Sequence, residues 1–70
     1  MSILSERMLL LRKEQGLTQE HIVLELEIPL RSYRRYEQGE REPSIENLCK
    51  LADFYHVSVD YLIGRTDDKG

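Results

Sequence analysis

Glycine and proline divide this 70-residue chain into short segments, and this division limits the elements that it can form. Gly16, Pro29, Gly39 and Gly64 separate stretches whose apolar residues recur every three or four positions. That spacing is typical of amphipathic helices, because residues three and four apart lie on one helix face. No stretch alternates apolar and polar residues for long enough to predict a strand. The sequence therefore predicts a compact all-α domain of five short helices.

The ends of the predicted helices follow from residues that favour helix termini. Small polar residues before an apolar stretch mark N-caps, and glycine marks C-terminal ends. His56 is expected to take the left-handed position after the fourth helix, which glycine usually fills. In chain order, the predicted helices run from Ser2 or Ser5 to Gly16, from Thr18 to the region before Pro29, from Leu30 to Gln38, from Ser44 to Tyr55, and from Ser58 to Ile63.

The apolar faces of these helices form the predicted core. Cys49 is expected on the apolar side of the fourth helix, as a small hydrophobic residue. The aromatic residues have helical spacing, which favours packing over stacking on single-stranded nucleic acid. The predicted core residues include Ile22, Val23, Leu26, Tyr33, Tyr36, Ile45, Leu48, Leu51, Ala52, Phe54, Tyr55 and Tyr61.

Positive charge is concentrated in one segment of a chain whose formal net charge is -3. The stretch "PLRSYRRYEQGE", residues 29–40, contains Arg31, Arg34 and Arg35. Such local asymmetry indicates either a solvated, salt-bridged helix face or a surface that meets an anion. A guanidinium group matches both phosphate and guanine as a planar fork of donors.

Size and composition disfavour an enzyme. A chain of this length buries only about 60% of the surface that its unfolded form exposes, so it has no room for a deep cleft. It lacks a phosphate-binding loop, a zinc-protease motif and a nucleophile elbow. We therefore predict no catalytic residues, no cofactor and no small-molecule ligand.

Metal binding and membrane insertion are not predicted either. His21 and His56 are far apart in sequence and have no neighbouring ligand-type residues. Cys49 is the single cysteine, which excludes an internal disulfide and fits a reducing compartment. No apolar run reaches the roughly 18 residues of a membrane span, and no signal peptide is visible. The sequence is typical of a cytoplasmic protein.

A short connection around Glu27 and Ile28 joins the second and third helices, which is a helix-turn-helix arrangement. The motifs "LTQE", "YEQGEREPS", "LCKLA" and "VSVDYLIG" follow one another along the chain. In this order and spacing they resemble the Cro/C1-type helix-turn-helix family, also called the XRE family, of bacterial and phage regulators. The resemblance covers about Leu4 to Gly64. It implies a lambda-repressor-like DNA-binding domain over residues 1–66 and leaves residues 67–70 as a polar tail.

The resemblance also implies what the protein binds and with which positions. In the family, the third helix enters the major groove of duplex DNA, where an arginine can fork onto guanine and a leucine can contact a thymine methyl. No metal or cofactor is implied. The positions on the base-reading face are Leu30, Arg31 and Arg35, with Arg34 at the edge of that face, where it would reach either a base or a phosphate. The positions near DNA phosphates are Thr18, Gln19, Ser32 and Arg41.

Two further features are implied by the same resemblance. Arg12 and Glu37 would form a partly buried ion pair between the first and third helices. Removing one of them would leave the charge of the other buried without a partner. Val59, Leu62 and Ile63 are either ordinary core or the seam of a two-fold homodimer. A dimer would place two third helices about one DNA turn apart, ~34 Å, on a near-palindromic operator.

Several positions depart from the family pattern and bear on DNA affinity rather than on the fold. Glu27 stands where the turn usually has glycine, which costs about 1 kcal/mol if φ is positive there. At the other departures this chain has a different residue from the one usual in the family. Val23 stands in place of a small alanine, Pro29 in place of a serine or threonine cap, Tyr33 in place of an aliphatic residue, and Glu40 and Glu42 in place of basic residues.

A second function predicted for the same fold is that of a protein-interaction module, such as an antitoxin or a partner of another regulator. The acidic net charge favours it. The two readings differ in what they require of the arginines. Intramolecular salt bridges at Arg31, Arg34 and Arg35 would favour the interaction module, whereas projection with Gln19 onto one open face would favour DNA.

Overall fold

The computed structural model describes residues 2–70, which form five α-helices and no strand. This confirms the predicted all-α class. The last helix ends one residue earlier than predicted, which is within the usual spread of helix ends. The helices are α1 (Ile3–Glu14), α2 (Gln19–Leu26), α3 (Leu30–Gln38), α4 (Ile45–Tyr55) and α5 (Val59–Leu62).

Side-chain hydrogen bonds cap every helix except α3. At α1, Ser2 and Ser5 form a reciprocal capping box, so the two alternative caps act together. At α3, Pro29 occupies the cap position and provides no side-chain hydrogen bond, because its ring carries no acceptor. Its φ of -58° nevertheless suits entry into the helix. The remaining caps, each accepting a bond from a backbone N–H three residues later, are Thr18, Ser44 and Ser58.

The core is built from residues of all five helices. α1 packs against α3 and α5, and α2 packs against α3 and α4. The four tyrosines are buried, which confirms that they pack rather than form an exposed stacking platform. The buried apolar residues are Met8, Leu11, Ile22, Leu26, Ile28, Tyr33, Tyr36, Leu51, Ala52, Tyr55, Tyr61 and Leu62.

Two residues expected on the apolar side of α4 are exposed. Ile45 is 81% exposed because it is the first residue of the helix, ahead of the stretch that packs. Cys49 is also exposed. It follows the half-buried Leu48 and so lies about 100° further around the helix, away from the buried stripe. The prediction that Cys49 is a core residue was therefore wrong.

Left-handed backbone ends α2 and α4. Glu27 has a φ of 55° and His56 a φ of 56°. The expectation for His56 is confirmed, and Glu27 meets the condition under which its side chain carries a cost. In both cases an L-residue occupies a conformation that favours glycine. Between α2 and α3, the buried side chain of Ile28 anchors the turn. The turn is therefore attached to the core at the point where α2 leads into α3.

Replacing Glu27 with glycine is expected to raise the free energy of unfolding by about 0.5–1 kcal/mol. Glycine removes the left-handed penalty of about 1–2 kcal/mol, and part of that gain is offset by the greater flexibility of glycine in the unfolded chain. Urea unfolding would measure the change. Glu25→Gly is the matched control, since it lies inside α2 and is expected to destabilise by about 1 kcal/mol. A loss of stability in Glu27→Gly would contradict the strain argument.

The C-terminal residues fold back onto the helices. The backbone N–H of Ser58 donates to the carbonyl oxygen of Lys69 at 2.7 Å. Arg7 forms an ion pair with Asp67 at 2.7 Å and donates to the carbonyl oxygen of Thr66 at 2.6 Å. Residues 67–70 are thus polar, as predicted, and in contact with the domain. The division of the chain at residue 66 stays a prediction.

Candidate nucleic-acid interface

The exposed side of α3 carries the three arginines of the basic segment. Arg31 and Arg35 lie four positions apart, so they are neighbours on the helix surface. Neither forms an ion pair with any residue in the described part of the chain. Arg34 differs, because its Nε donates to Oε1 of Gln19 at 3.2 Å and its guanidinium lies 3.8 Å from Glu20. Two of the three arginines are therefore free of the intramolecular bridges that would favour a protein-interaction module.

The other residues assigned to the interface lie around this face at different depths. Leu30 and Ser32 are half-buried on α3. Arg41 is exposed in the loop after α3, between the exposed Glu40 and Glu42. The two carboxylates lower the positive potential that Arg41 alone would provide. The assignment of these side chains to bases or phosphates stays a prediction.

The start of α2 combines structural and surface roles. The hydroxyl oxygen of Thr18 accepts a hydrogen bond from the backbone N–H of His21 at 3.0 Å, which leaves its own hydrogen free to donate. Gln19 is the first residue of α2 and is half-buried. Its Nε2 donates to Oε1 of Glu37 at 2.9 Å. Gln19 thus links the exposed Arg34 with the buried Glu37.

Beneath the exposed face lies a buried ion pair between α1 and α3. Arg12 donates to the two oxygens of Glu37 from Nε at 2.7 Å and from Nη2 at 3.1 Å. The Glu37 side chain is 5% exposed and that of Arg12 is 14% exposed. Arg12 also donates from Nη1 to the carbonyl oxygen of Leu17 at 2.9 Å. A bidentate pair with further hydrogen bonds is the geometry in which burial of two charges is tolerated.

Sequence reasoning missed a fourth donor to this carboxylate. The hydroxyl of Tyr33, which is fully buried, donates to Oε2 of Glu37. The signal was present, because a tyrosine four positions before a glutamate lies on the same helix face. The family pattern by itself predicts Tyr33 only as a core residue in place of an aliphatic one. Its polar end makes it part of the ion-pair cluster.

The environment of the cluster shifts the pKa values of its members. Burial alone would raise the pKa of Glu37, but hydrogen bonds from Arg12, Tyr33 and Gln19 outweigh it and hold that pKa below the usual value of 4.5. The hydrogen bond with Glu37 raises the pKa of Arg12. Burial raises the pKa of Tyr55 to about 12. The Tyr55 hydroxyl is buried and has no hydrogen-bond partner among residues 2–70.

Acid is expected to weaken the fold through Glu37. Because its pKa is lower in the folded state than the unfolded value near 4.5, the folded protein binds fewer protons there. The contribution of the carboxylate is complete above that unfolded value and is lost as the pH falls through the folded pKa. Urea unfolding between about pH 3 and 6 should therefore show stability rising with pH.

A matched pair of variants isolates this contribution. Glu37→Gln should flatten the acidic slope, whereas Glu14→Gln should leave it nearly unchanged, because Glu14 is half-exposed and faces Lys69 only at 3.5 Å. Equal slopes in the wild type and in Glu37→Gln would show that other carboxyl groups govern the acid response.

The proposed dimer seam divides into buried and exposed residues. Leu62 is fully buried in the protomer's own core, so its side chain offers no surface to a second protomer. Val59 is half-buried, and Ile63 is 41% exposed. Ile3 of α1 is 50% exposed and lines, together with Ile63, a shallow depression of about 330 Å³. A seam would consequently rest on Val59 and Ile63, with Ile3 as an added apolar neighbour.

The described part of the chain has neither a metal-binding cluster nor a membrane-spanning helix. Residues 2–70 contain no group of three or more histidine, cysteine, aspartate or glutamate residues arranged to hold a metal ion. None of the five helices has both the length and the apolar character to cross a membrane.

The arrangement of α2, the short turn and α3 defines a helix-turn-helix domain. Comparison with known sequences leads to the same class, since residues 8–62 match the family described as Helix-turn-helix. The chain belongs to this family of Cro/C1-type transcriptional regulators. The family is not one of enzymes, which confirms the expectation drawn from the sequence.

Individual relatives agree with this assignment. The chain is 44% identical over 62 residues to the cryptic phage CTXphi transcriptional repressor RstR of Vibrio cholerae, and 41% identical over 63 residues to the transcriptional regulator YobD of Bacillus subtilis. These matches cover 89% and 90% of this chain but only 55% and 56% of the relatives. The chain therefore spans little more than half the length of these proteins.

A solved structure confirms the fold. The crystal structure of a transcriptional regulator from Listeria innocua superposes with a TM-score of 0.81 at 38% sequence identity. The match covers 87% of this chain and 57% of that one. The predicted five-helix helix-turn-helix architecture is thus shared with a protein of the same class.

Proposed function

We propose that this chain is a sequence-specific DNA-binding transcriptional regulator that inserts α3 into the major groove of duplex DNA. The observation that carries the proposal is the pair of exposed, unpaired guanidinium groups of Arg31 and Arg35, one helical turn apart on α3. In the groove, each guanidinium would fork onto guanine O6 and N7. Arg34 and Leu30 complete the base-reading face, Leu30 by contact with a thymine methyl.

Phosphate contacts would set the orientation of α3 on the duplex. We assign them to Thr18 and Gln19 at the start of α2, to Ser32, and to Arg41 in the loop after α3. The free N–H groups at the N-terminus of α2 add attraction for phosphate. These contacts would contribute affinity for any sequence, whereas the arginines of α3 would select the sequence.

The regulator is further proposed to act as a homodimer in the cytoplasm and to repress its target promoter. Repression is the role stated in the name of the Vibrio cholerae relative. The exposed Ile3 and Ile63 support an apolar contact between two protomers. A two-fold dimer would require half-sites about 34 Å apart, so its operator would be near-palindromic. Sedimentation velocity with and without operator duplex would distinguish a stable dimer from one formed on DNA.

A protein-interaction role remains the second candidate, and one observation favours it. Leu24 of α2 and Ile45 of α4 are 80% and 81% exposed, which is unusual for large apolar side chains. An antitoxin or a partner of another regulator would use such residues for contact with protein. Leu24→Ser and Ile45→Ser should leave DNA binding intact if the first proposal is right.

Fluorescence anisotropy with duplexes of mixed sequence tests the proposal at the level of DNA binding. The observed binding constant should fall linearly with salt on a logarithmic scale, because phosphate contacts release counterions. Absence of binding to every duplex even at about 50 mM salt would reject the proposal and favour the protein-interaction module.

A further inference from the structure

We propose that Tyr33 is a positioning residue for Arg34, acting through the side chains of Glu37 and Gln19. These four side chains, named here the Tyr33–Arg34 relay, run from the core to the exposed face of α3. Tyr33 donates to Oε2 of Glu37. Gln19 donates to Oε1 of the same carboxylate at 2.9 Å and accepts from Arg34 Nε at 3.2 Å. The relay therefore ties an exposed arginine to a fully buried hydroxyl group.

The hydrogen-bonding chemistry of Glu37 and Arg34, the two neighbours of Gln19, fixes the orientation of the Gln19 amide. The carboxylate of Glu37 only accepts hydrogen bonds, and the guanidinium of Arg34 only donates them. The amide nitrogen must therefore face Glu37 and the amide oxygen must face Arg34. If the amide were flipped, its oxygen would face the Glu37 carboxylate, which is also an acceptor, and its nitrogen would face the Arg34 guanidinium, which is also a donor. One hydrogen on Nε2 remains free for a phosphate oxygen.

Tyr33 completes the set of donors around Glu37. A carboxylate has about four acceptor positions. Arg12 fills two of them, at 2.7 and 3.1 Å, and Gln19 fills a third at 2.9 Å. The Tyr33 hydroxyl fills the fourth, on Oε2, whereas Gln19 binds Oε1. Without it, the carboxylate has more freedom about its terminal torsion, and Oε1 is held less firmly against the Gln19 amide.

The Gln19 bond is the contact that would orient Arg34. The alternative partner, Glu20, lies 3.8 Å away, and both side chains of that pair are more than half exposed. Exposed pairs of this kind fix a side chain only weakly. With Nε bound to Gln19, the two terminal nitrogens of Arg34 remain available as a fork. A guanine edge or a phosphate accepts such a fork.

The relay itself can be tested in the DNA-free protein by ¹⁵N NMR of the arginine Nε–H groups. Exchange of the Arg34 Hε with water should become about two- to tenfold faster in Tyr33→Phe and in Gln19→Met, as expected for loss of a hydrogen bond. The signals of Arg31 and Arg35 are internal controls and should not change. Equal Arg34 exchange rates in the wild type and in Tyr33→Phe would overturn the role of Tyr33, whatever Gln19→Met shows.

Loss of stability must be kept apart from loss of positioning. Tyr33→Phe leaves one acceptor of a buried carboxylate without its donor, which destabilises the fold. The comparison is therefore made at low temperature and, where Tyr33→Phe alone does not fold, in a Glu27→Gly background. Glu27 lies outside the relay, so the added stability does not alter the contacts under test.

The consequence for DNA rests on the function proposed above and is measured separately. Tyr33→Phe should weaken binding to the preferred duplex about two- to tenfold and should have no further effect in an Arg34→Ala background. An equal loss in both backgrounds would show that Tyr33 does not act through Arg34. If no variant binds DNA, the proposed function fails, while the NMR result still decides whether the relay exists.

Discussion

Replacing Arg12 with methionine is expected to lower the free energy of unfolding by about 3–5 kcal/mol. Glu37 would then be a buried carboxylate with its ionic partner removed, and its side chain is only 5% exposed. Methionine keeps most of the volume and apolar contact of the arginine stem, so the loss reports on the charge. In a domain of this size such a loss is a large share of the total stability. Urea unfolding at neutral pH would measure it.

The partner variants make this expectation specific to the pair. Arg12→Met/Glu37→Leu should recover much of the lost stability, because removing both charges ends the cost of burying one alone. Arg65→Met is the matched surface control. Arg65 is largely exposed, and its distance of 3.9 Å from the exposed Asp60 makes that ion pair a weak one. If Arg12→Met lowered the free energy of unfolding by less than about 1 kcal/mol, water or a rearranged side chain would be replacing Arg12 as the partner of the Glu37 carboxylate. The ion pair would then not be what holds α1 against α3.

Replacing Arg31 or Arg35 with alanine is expected to weaken binding to the preferred DNA site by about 1–3 kcal/mol each, or roughly 5- to 150-fold in Kd. Each variant should also relax the base preference at its own position, because a guanine would lose its fork of donors. Both arginines are exposed, so folding should change little. Competition titrations with duplexes mutated at single positions would measure both effects.

Variants of two other arginines distinguish the recognition of bases from general electrostatic attraction to DNA. Arg41→Ala should weaken binding to all duplexes alike and reduce the salt slope by about 1, as expected for a phosphate contact. Arg65→Ala removes the same charge beyond α5 and should change Kd by less than about twofold at physiological salt. If all four variants lost affinity equally on every sequence, the arginines of α3 would contribute charge alone, without base reading.

Much of the fold could be predicted from local chemistry. Caps such as Thr18 and Ser44 and the left-handed residues Glu27 and His56 fix helix ends within a few positions, so the sequence alone locates them. Burial was harder to predict where helix ends and neighbouring helices decide it. Ile45 is apolar and correctly spaced, yet it is exposed because it begins its helix. Cys49 lies beside the buried stripe rather than in it.

The candidate site was only partly predictable for a related reason. The bond between Arg12 and Glu37 joins residues 25 positions apart, and it was expected from a resemblance rather than from spacing. The hydroxyl of Tyr33 and the amide of Gln19 converge on the same carboxylate only after α1, α2 and α3 are packed. Hydrogen-bond direction depends on such three-dimensional detail. Periodicity, by contrast, reports which side of a helix is buried and little more.

The most direct test of the central claim is selection from a randomised duplex pool, followed by sequencing of the bound molecules, with the wild type and Arg35→Ala side by side. The account predicts that the wild type enriches a near-palindromic site, and that Arg35→Ala loses preference at fixed positions in each half-site. Enrichment of no sequence by the wild type, even at low salt, would contradict base reading by α3.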